Sequence, residues 1–236
     1  MNIMRVTLLL IISVMISSSS IADSGGNSVY IDQTNADNSV VTITQTGSNN
    51  RVGDPDSGSA PSFQIDGNTI LATIIQTGID NALTGMIIGG DTTVDFTQTG
   101  DSNSSALNMG SMGTDTGTLT MDITGNTNTT VMNIGSTNNS SNYKFNLLMT
   151  GNNNTLTSNI NSIFTVDTFT VTGSNNAITT TQIGAGGSSN VDGHNIAVSN
   201  IGNYNTIEIT QDGTTNPDSA IVNLTGDNAT VSITQH

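Results

Sequence analysis

The sequence contains no cysteine and no tryptophan, and only three of its 236 residues are lysine or arginine. The lack of cysteine excludes disulfide bonds and thiolate metal sites. Together with 18 acidic residues, the few basic residues give a formal net charge of -15. The chain therefore has no basic surface that could neutralise the phosphates of a nucleic acid, and we expect no nucleic-acid partner.

Aromatic residues, at 3%, and charged residues, at 9%, are also scarce, whereas globular domains usually carry about 25% charged residues. Asn, Thr, Ser and Gly take their place. Hydrophobic residues nevertheless make up 33% of the chain, and most of them are Ile, Val, Leu and Met. This content is too high and too regularly spaced for a disordered segment. We therefore expect an ordered fold of unusual composition.

The first 22 residues have the features of a signal peptide. Arg5 supplies a positive charge, Val6–Ile16 form an apolar run, and Ser20 and Ala22 are the small residues that a signal peptidase reads. A transmembrane anchor is the alternative, but the apolar run is shorter than the roughly 20 residues that a membrane-spanning helix needs. We predict cleavage after Ala22 and a secreted, extracellular or cell-surface protein, with no transmembrane segment in the mature chain.

A short string, Gln-x-Gly-x-x-Asn, recurs along the rest of the chain. It occurs in strict form four times, and once with Asn in place of Gly. The Gln and Asn residues of these copies are Gln33, Asn38, Gln45, Asn50, Gln76, Asn81, Gln98, Asn103, Gln211 and Asn216, and Gln235 has the same place in the last strand pattern. Fixed spacing of this kind indicates a repeat architecture.

Glycines mark the corners of the repeat. Many are separated by eleven residues, and two such steps make a unit of 22 residues. One series of corners is Gly47, Gly78, Gly100, Gly125, Gly151, Gly173, Gly202 and Gly226, while Gly213 belongs to the opposite series. Glycine permits the positive φ that a chain reversal needs. Extra residues near 51–61 and 185–195 indicate loops inserted into the period.

Apolar and polar residues alternate between the corners. Ile207, Ile209 and Gln211 share one parity, whereas Glu208 has the other. A period of two is typical of a half-buried strand and excludes an amphipathic helix. We predict an all-β fold, a two-sided parallel β-solenoid of about eight 22-residue turns, each with two arms of about 11 residues and with loop insertions. The predicted segments are then a signal peptide at 1–22, a short N-terminal segment at 23–28 and the repeat domain at 29–236.

The Gln and Asn residues share the parity of the apolar residues, which places their amides inside the solenoid. A buried amide is costly unless it is hydrogen-bonded. In a stack of equivalent turns, each amide can bond to its counterpart one turn away, and the result is a ladder of Asn or Gln side chains. The alternative is that these side chains lie in solvated turns. We favour ladders, because the parity holds in each strict copy.

The repeat resembles that of the curlin family, the subunits of curli fibres. The core of that family's repeat, Ser-x5-Gln-x-Gly-x-x-Asn, is matched in full by Ser39, Gln45, Gly47 and Asn50. The other strict copies match the core from the Gln onward. The central copies instead carry apolar residues at the Gln position, namely Ile123, Met149 and Val171.

The resemblance implies the subunit of a functional amyloid. Such a chain is exported unfolded through a dedicated outer-membrane pore and polymerises at the cell surface into fibres of the biofilm matrix, which serve adhesion. The implied partners are further copies of the chain, a curli-type secretion pore and other fibre subunits, and no cofactor is implied. The departures from the repeat leave open whether the chain is a major subunit or a minor, nucleating one. Independently, the last strand pattern, Thr230–Gln235, is intact, and an unpaired strand edge can act as a template for another copy.

Three other functions would each need particular residues or motifs. We expect no enzyme, because His194 and His236 lack the clustered partners that catalysis needs. A calcium-binding β-roll would need Gly-Gly-x-Gly-x-Asp repeats, so Asp54 and Asp56 are interpreted as part of an acidic loop. The main alternative is a monomeric solenoid that binds a surface or ligand, of adhesin or ice-binding type. Its candidate feature is an outward column of Thr46, Thr77, Thr99, Thr124, Thr150, Thr172 and Thr225.

Overall fold

A computed structural model describes most of the repeat region and one segment before it. The described residues are 11–17, 27–29, 31–34, 37–53, 63–100, 102–110, 116–125, 127–135, 143–151, 153–161, 165–173, 175–183, 195–202, 204–212, 219–226 and 228–235. They form strands, turns and bends, and within these ranges there is no helix that could cross a membrane.

The strands belong to two sheets. The first sheet contains β1 (Ile11–Ser17), β3 (Ser39–Thr46), β5 (Ile70–Thr77), β7 (Thr92–Thr99), β9 (Gly117–Thr124), β11 (Tyr143–Thr150), β13 (Thr165–Thr172), β15 (Asn195–Ile201) and β17 (Ser219–Thr225). The second contains β2 (Asp32–Gln33), β4 (Gln64–Asp66), β6 (Leu83–Ile88), β8 (Ser105–Gly110), β10 (Thr130–Ile134), β12 (Thr155–Asn161), β14 (Ala177–Ile183), β16 (Thr206–Asp212) and β18 (Thr230–Gln235).

Within each sheet the strands lie in chain order, and every neighbouring pair is parallel. The chain therefore crosses from one sheet to the other at each corner and returns one strand further along. Repetition of this path makes a coil with two sides, one for each sheet. The prediction of an all-β fold, a two-sided parallel β-solenoid, is confirmed.

The predicted number and size of the turns need correction. In the described part of the chain each sheet has nine strands, not about eight. The additional strand β1 pairs with β3 and lies inside the predicted signal peptide, whose cleavage stays a prediction. Equivalent asparagines in successive turns are 22 to 31 residues apart, so the turns are not uniformly of 22 residues. Strand pairing sets the rise of a turn, but the corners can absorb extra residues without disturbing that pairing.

The predicted loop insertions lie mostly outside the described residues. Of the segment 51–61, the structure describes residues 51–53, where Val52 is fully buried and belongs to the hydrophobic core. Of the segment 185–195, it describes only Asn195, the first residue of β15. The longest described spacing, 31 residues between Asn50 and Asn81, contains the first insertion.

The core lies between the two sheets and follows the predicted alternation. In β16, Ile207, Ile209 and Gln211 are buried while the residues between them face outward. Phe145 and Phe169 stack edge to face on neighbouring strands, with ring centroids 5.1 Å apart. Each fully buried aliphatic or aromatic side chain contributes about 1.5–3 kcal/mol, so the stacked core is the main source of stability.

Candidate functional site: the buried amide ladders

One column of asparagines runs through the interior along the corner that follows the first sheet. Each side chain after the first, Asn27, donates from Nδ2 to the Oδ1 of its counterpart one turn earlier. The donors and acceptors, in order, are Asn50 to Asn27, Asn81 to Asn50, Asn103 to Asn81, Asn128 to Asn103, Asn154 to Asn128, Asn176 to Asn154 and Asn205 to Asn176. We call this column the Asn ladder. All of its members are buried, and the shared period supplies the hydrogen bonds that buried amides need.

The predicted Gln positions form two separate columns, one on each sheet. On the first sheet Gln45, Gln76 and Gln98 are in register, and Gln98 donates to Gln76 at 3.0 Å. Gln76 itself donates to the carbonyl oxygen of Ala82 at 2.7 Å, and Gln45 donates to that of Arg51. These two glutamines therefore bond to the following corner rather than to each other.

On the second sheet the column consists of Gln182, Gln211 and Gln235, which we call the Gln ladder. Gln211 donates to Gln182 at 2.9 Å, and Gln235 donates to Gln211 at 2.8 Å. Gln211 also donates to the carbonyl oxygen of Ser219 at 2.9 Å. The ladder thus connects the strands and also fixes the start of β17.

The other predicted positions have different surroundings. Gln33 is buried on β2, and within the described residues neither atom of its amide has a hydrogen-bond partner. Asn38 is exposed, with φ at 57°, and its backbone N–H donates to the carbonyl oxygen of Asn68. It therefore forms a turn. Asn216 and Gly213 lie outside the described residues.

Sequence reasoning did not assign Asn27, Asn128, Asn154, Asn176, Asn205 and Gln182 to the ladders. Most of these asparagines stand three residues after a corner glycine whose copy has lost its Gln. The signal that identifies them is thus the Gly-x-x-Asn spacing alone. The string Gln-x-Gly-x-x-Asn does not include these asparagines, because their copies lack the Gln.

The corner glycines stack directly on one another. Gly78 has φ at 147°, in the region that favours glycine, and its N–H donates to the carbonyl oxygen of Thr99 at 2.9 Å. A Cβ on Gly78 would lie 1.4 Å from the carbonyl oxygen of Gly47. Close contact of this kind recurs at the other corners of the series, Gly100, Gly125, Gly151, Gly173, Gly202 and Gly226. Only a residue without a side chain allows the corners to approach this closely.

The Asn ladder stops before the last turn. Asn205 precedes the first residue of β16, and Ala229 precedes the residue of β18 that pairs with it. Alanine has no amide, and the Oδ1 of Asn205 is buried with no hydrogen-bond partner in the described part of the chain. The Gln ladder, in contrast, continues to Gln235.

The substitution Ala229→Asn is expected to raise the free energy of unfolding by about 1 kcal/mol, because the new amide can donate to the buried Oδ1 of Asn205. Urea denaturation followed by far-UV circular dichroism measures the change. The matched control is Ser232→Asn, which adds the same side chain to the outward face of β18. An equal effect of the two substitutions would contradict the ladder explanation.

The outward threonines also form a column. Thr46, Thr77, Thr99, Thr124, Thr150 and Thr172 are in register along the first sheet, and Ile201 separates them from Thr225. Most of them are exposed. They form a row of hydroxyl and methyl groups beside the corner glycines, which is the surface that the alternative function would use.

The structure does not describe the four candidate residues for catalysis or metal binding. His194, His236, Asp54 and Asp56 lie outside the described residues. Among those that are described, no group of three or more His, Asp or Glu side chains could hold a metal ion. The predictions about these four residues stay predictions.

Fold and interior together define a class: a parallel β-solenoid whose turns are joined by buried amide ladders. Comparison of the chain with protein-family models, with curated proteins and with solved structures gave no match. The resemblance to curlins consequently rests on the repeat itself.

Proposed function

We propose that this chain is a secreted structural protein, a curli-like amyloid fibre subunit that assembles with further copies of itself on the cell surface. The fibres would form part of a biofilm matrix and serve adhesion. The observation that carries the proposal is the open edge formed by β17 and β18. In the described part of the chain each of these strands has one hydrogen-bonded neighbour. Val231 and Ile233 occupy core positions, in register with Ile207 and Ile209, yet they are 42% and 45% exposed.

Within the described strands β17 and β18, the open edge lacks the charged residues and prolines that normally prevent strand addition. Natural sheets protect their edges with charged residues, prolines or covering elements. The sequences of β17, SAIVNLT, and β18, TVSITQ, contain neither charge nor proline. Gln235 donates inward to Gln211, and its own amide oxygen would be the acceptor of a further rung. An added strand would bury the exposed core positions and continue the ladder.

Fibre growth by strand addition would retain the geometry that the chain already has. Its strands are parallel and in register, and equivalent amides bond along the axis of the stack. The cross-β arrangement of amyloid uses the same relations between strands of different molecules. The predicted signal peptide supports secretion, and the curlin resemblance suggests an outer-membrane pore as the export route.

Purified protein lacking residues 1–22 is expected to polymerise without any cofactor into thioflavin-positive fibres. Electron microscopy and fibre diffraction, with reflections at about 4.7 and 10 Å, measure the result.

The substitution Ile233→Lys is expected to slow fibre growth at least about tenfold, because strand addition would bury an unpaired charge.

The matched control is Thr234→Lys, which adds the same charge to the next residue of β18, on its outward side. Equal growth of the two variants would show that β18 is not the growing edge. A protein that stays monomeric at all concentrations would overturn the fibre proposal and favour the alternative, a monomeric solenoid that binds a surface through the threonine column.

A further inference from the structure

Among the residues that the structure describes, one carboxylic acid lies inside the solenoid. Asp167 of β13 is 1% exposed and occupies a core position. Its partners in register on the two neighbouring strands are Phe145 and Ile196, both fully buried. The other acids that the structure describes within strands β7, β9 and β16 face outward, for example Asp95 and Glu208. Asp167 therefore interrupts an otherwise apolar column.

Only one of the two carboxyl oxygens of Asp167 accepts a hydrogen bond from a side chain within the described residues. The Nε2 of Gln182, across the core on β14, donates to Oδ2 at 2.5 Å and also to the hydroxyl of Thr165 at 3.0 Å. The backbone N–H of Phe145 donates to the carboxyl group as well. The Oδ1 atom is buried and has no partner within the described residues. This arrangement suits a protonated acid better than a carboxylate, whose second oxygen would also need donors.

No described charge can neutralise an ionised Asp167. Strands β12, β14 and β15 contain no ionisable residue. On β11, Tyr143 is buried but its side chain cannot carry a positive charge, and Lys144 is exposed on the outward side. On β13 itself Asp167 is the only ionisable residue. Burial away from water raises the pKa of Asp167 from 3.8 to about 8, against the smaller opposite effect of the hydrogen bonds from Gln182 and Phe145.

We propose that Asp167 is a pH-dependent switch for folding: protonation of this buried carboxyl group allows β13 and β14 to close as a turn of the solenoid, and its ionisation opposes closure. Because β13 and β14 are internal strands with a neighbour on each side, an open turn here would interrupt the first sheet between β11 and β15 and the second sheet between β12 and β16. The effect on folding does not depend on fibre formation. An acceleration of fibre growth in acid would follow from it, and that consequence rests on the proposed function.

The sign of the pH dependence follows from the raised pKa. Below pH 3.8 the acid is protonated in both the folded and the unfolded chain, so it adds no pH dependence there. Between pH 3.8 and about 8 the unfolded chain is ionised while the folded chain holds the proton. Folding then takes up one proton, and the folding equilibrium constant falls by about tenfold for each unit of rising pH. Above the folded-state pKa, the stabilisation that comes from the protonated carboxyl group is completely lost.

The test compares the purified chain with its Asp167→Asn variant by urea denaturation at pH 5, 6 and 7, at a concentration where no fibres form. Asparagine keeps the shape of the side chain and cannot ionise. The ratio of the parent's folding equilibrium constant to that of the variant is expected to fall about 100-fold from pH 5 to pH 7. A second variant, Asp167→Val, matches the apolar neighbours and serves if the asparagine variant does not fold.

The control is Asp95→Asn, which removes an exposed acid from the outward side of β7 and accounts for the general effect of net charge. The proposal is overturned if the Asp167 variants keep the pH dependence of the parent, or if Asp95→Asn changes it as much. Because unfolding of the monomer is measured, a chain that folds in acid but never forms fibres would leave this result intact while contradicting the proposed function.

Discussion

Replacement of Gly78 by alanine is expected to lower the free energy of unfolding by about 3 kcal/mol or more. A non-glycine residue in this left-handed region costs about 1–3 kcal/mol, and the new Cβ would lie 1.4 Å from the carbonyl oxygen of Gly47 and 2.6 Å from the Oδ1 of Asn50. One turn must move away from the next, which also separates Asn50 from Asn81 in the Asn ladder.

The measurement is the urea midpoint of unfolding, followed by far-UV circular dichroism. The control is Thr77→Ala, at the exposed residue directly before the corner, where a change within about 0.5 kcal/mol is expected. If Gly78→Ala were as mild as Thr77→Ala, direct stacking of the corners would be wrong.

The substitution Gln211→Met is expected to destabilise the folded chain by about 2–4 kcal/mol. Methionine fills a similar volume, and Met109 already occupies an apolar core position on the same sheet. The variant nevertheless leaves the Oε1 of Gln182 and the carbonyl oxygen of Ser219 without their donor. Each buried group left without a partner costs about 1–3 kcal/mol.

Unfolding in urea again provides the measurement, and the matched control is Thr210→Ala on the outward side of the same strand. Under the proposed function, Gln211→Met should also slow fibre growth, because Gln235 at the open edge bonds to Gln211. Equal stability of the two variants would indicate that the amides contribute only to turn formation.

Local spacing predicted much of the fold. Alternation such as that of Ile207, Ile209 and Gln211 correctly indicated strands with one buried side. The structure places described glycines such as Gly78 and Gly100 at stacked corners. The predicted turn size of 22 residues is wrong for several turns, because equivalent asparagines lie 22 to 31 residues apart. Spacing along the sequence measures the residues in a corner as well as in a strand, and a corner can lengthen without changing the strand pairing.

The ladders were less predictable than the strands. Gln76 and Gln211 stand in the same local string, yet the structure places them on different sheets. A string of six residues shows which side of a strand faces inward, but it does not show which of two facing sheets the strand joins. Asn38 matched the string as well, and its exposed turn position depends on the neighbouring turn rather than on the string.

The sequence by itself determined the period-two strands, the glycine corners and the presence of amides among the core positions, because these depend on residues within one turn. The tertiary structure decided which amides meet, where the Asn ladder stops at Asn205, and that Asp167 has no opposite charge beside it. These features depend on contacts between turns 22 to 31 residues apart, whose alignment is set only when the whole coil closes.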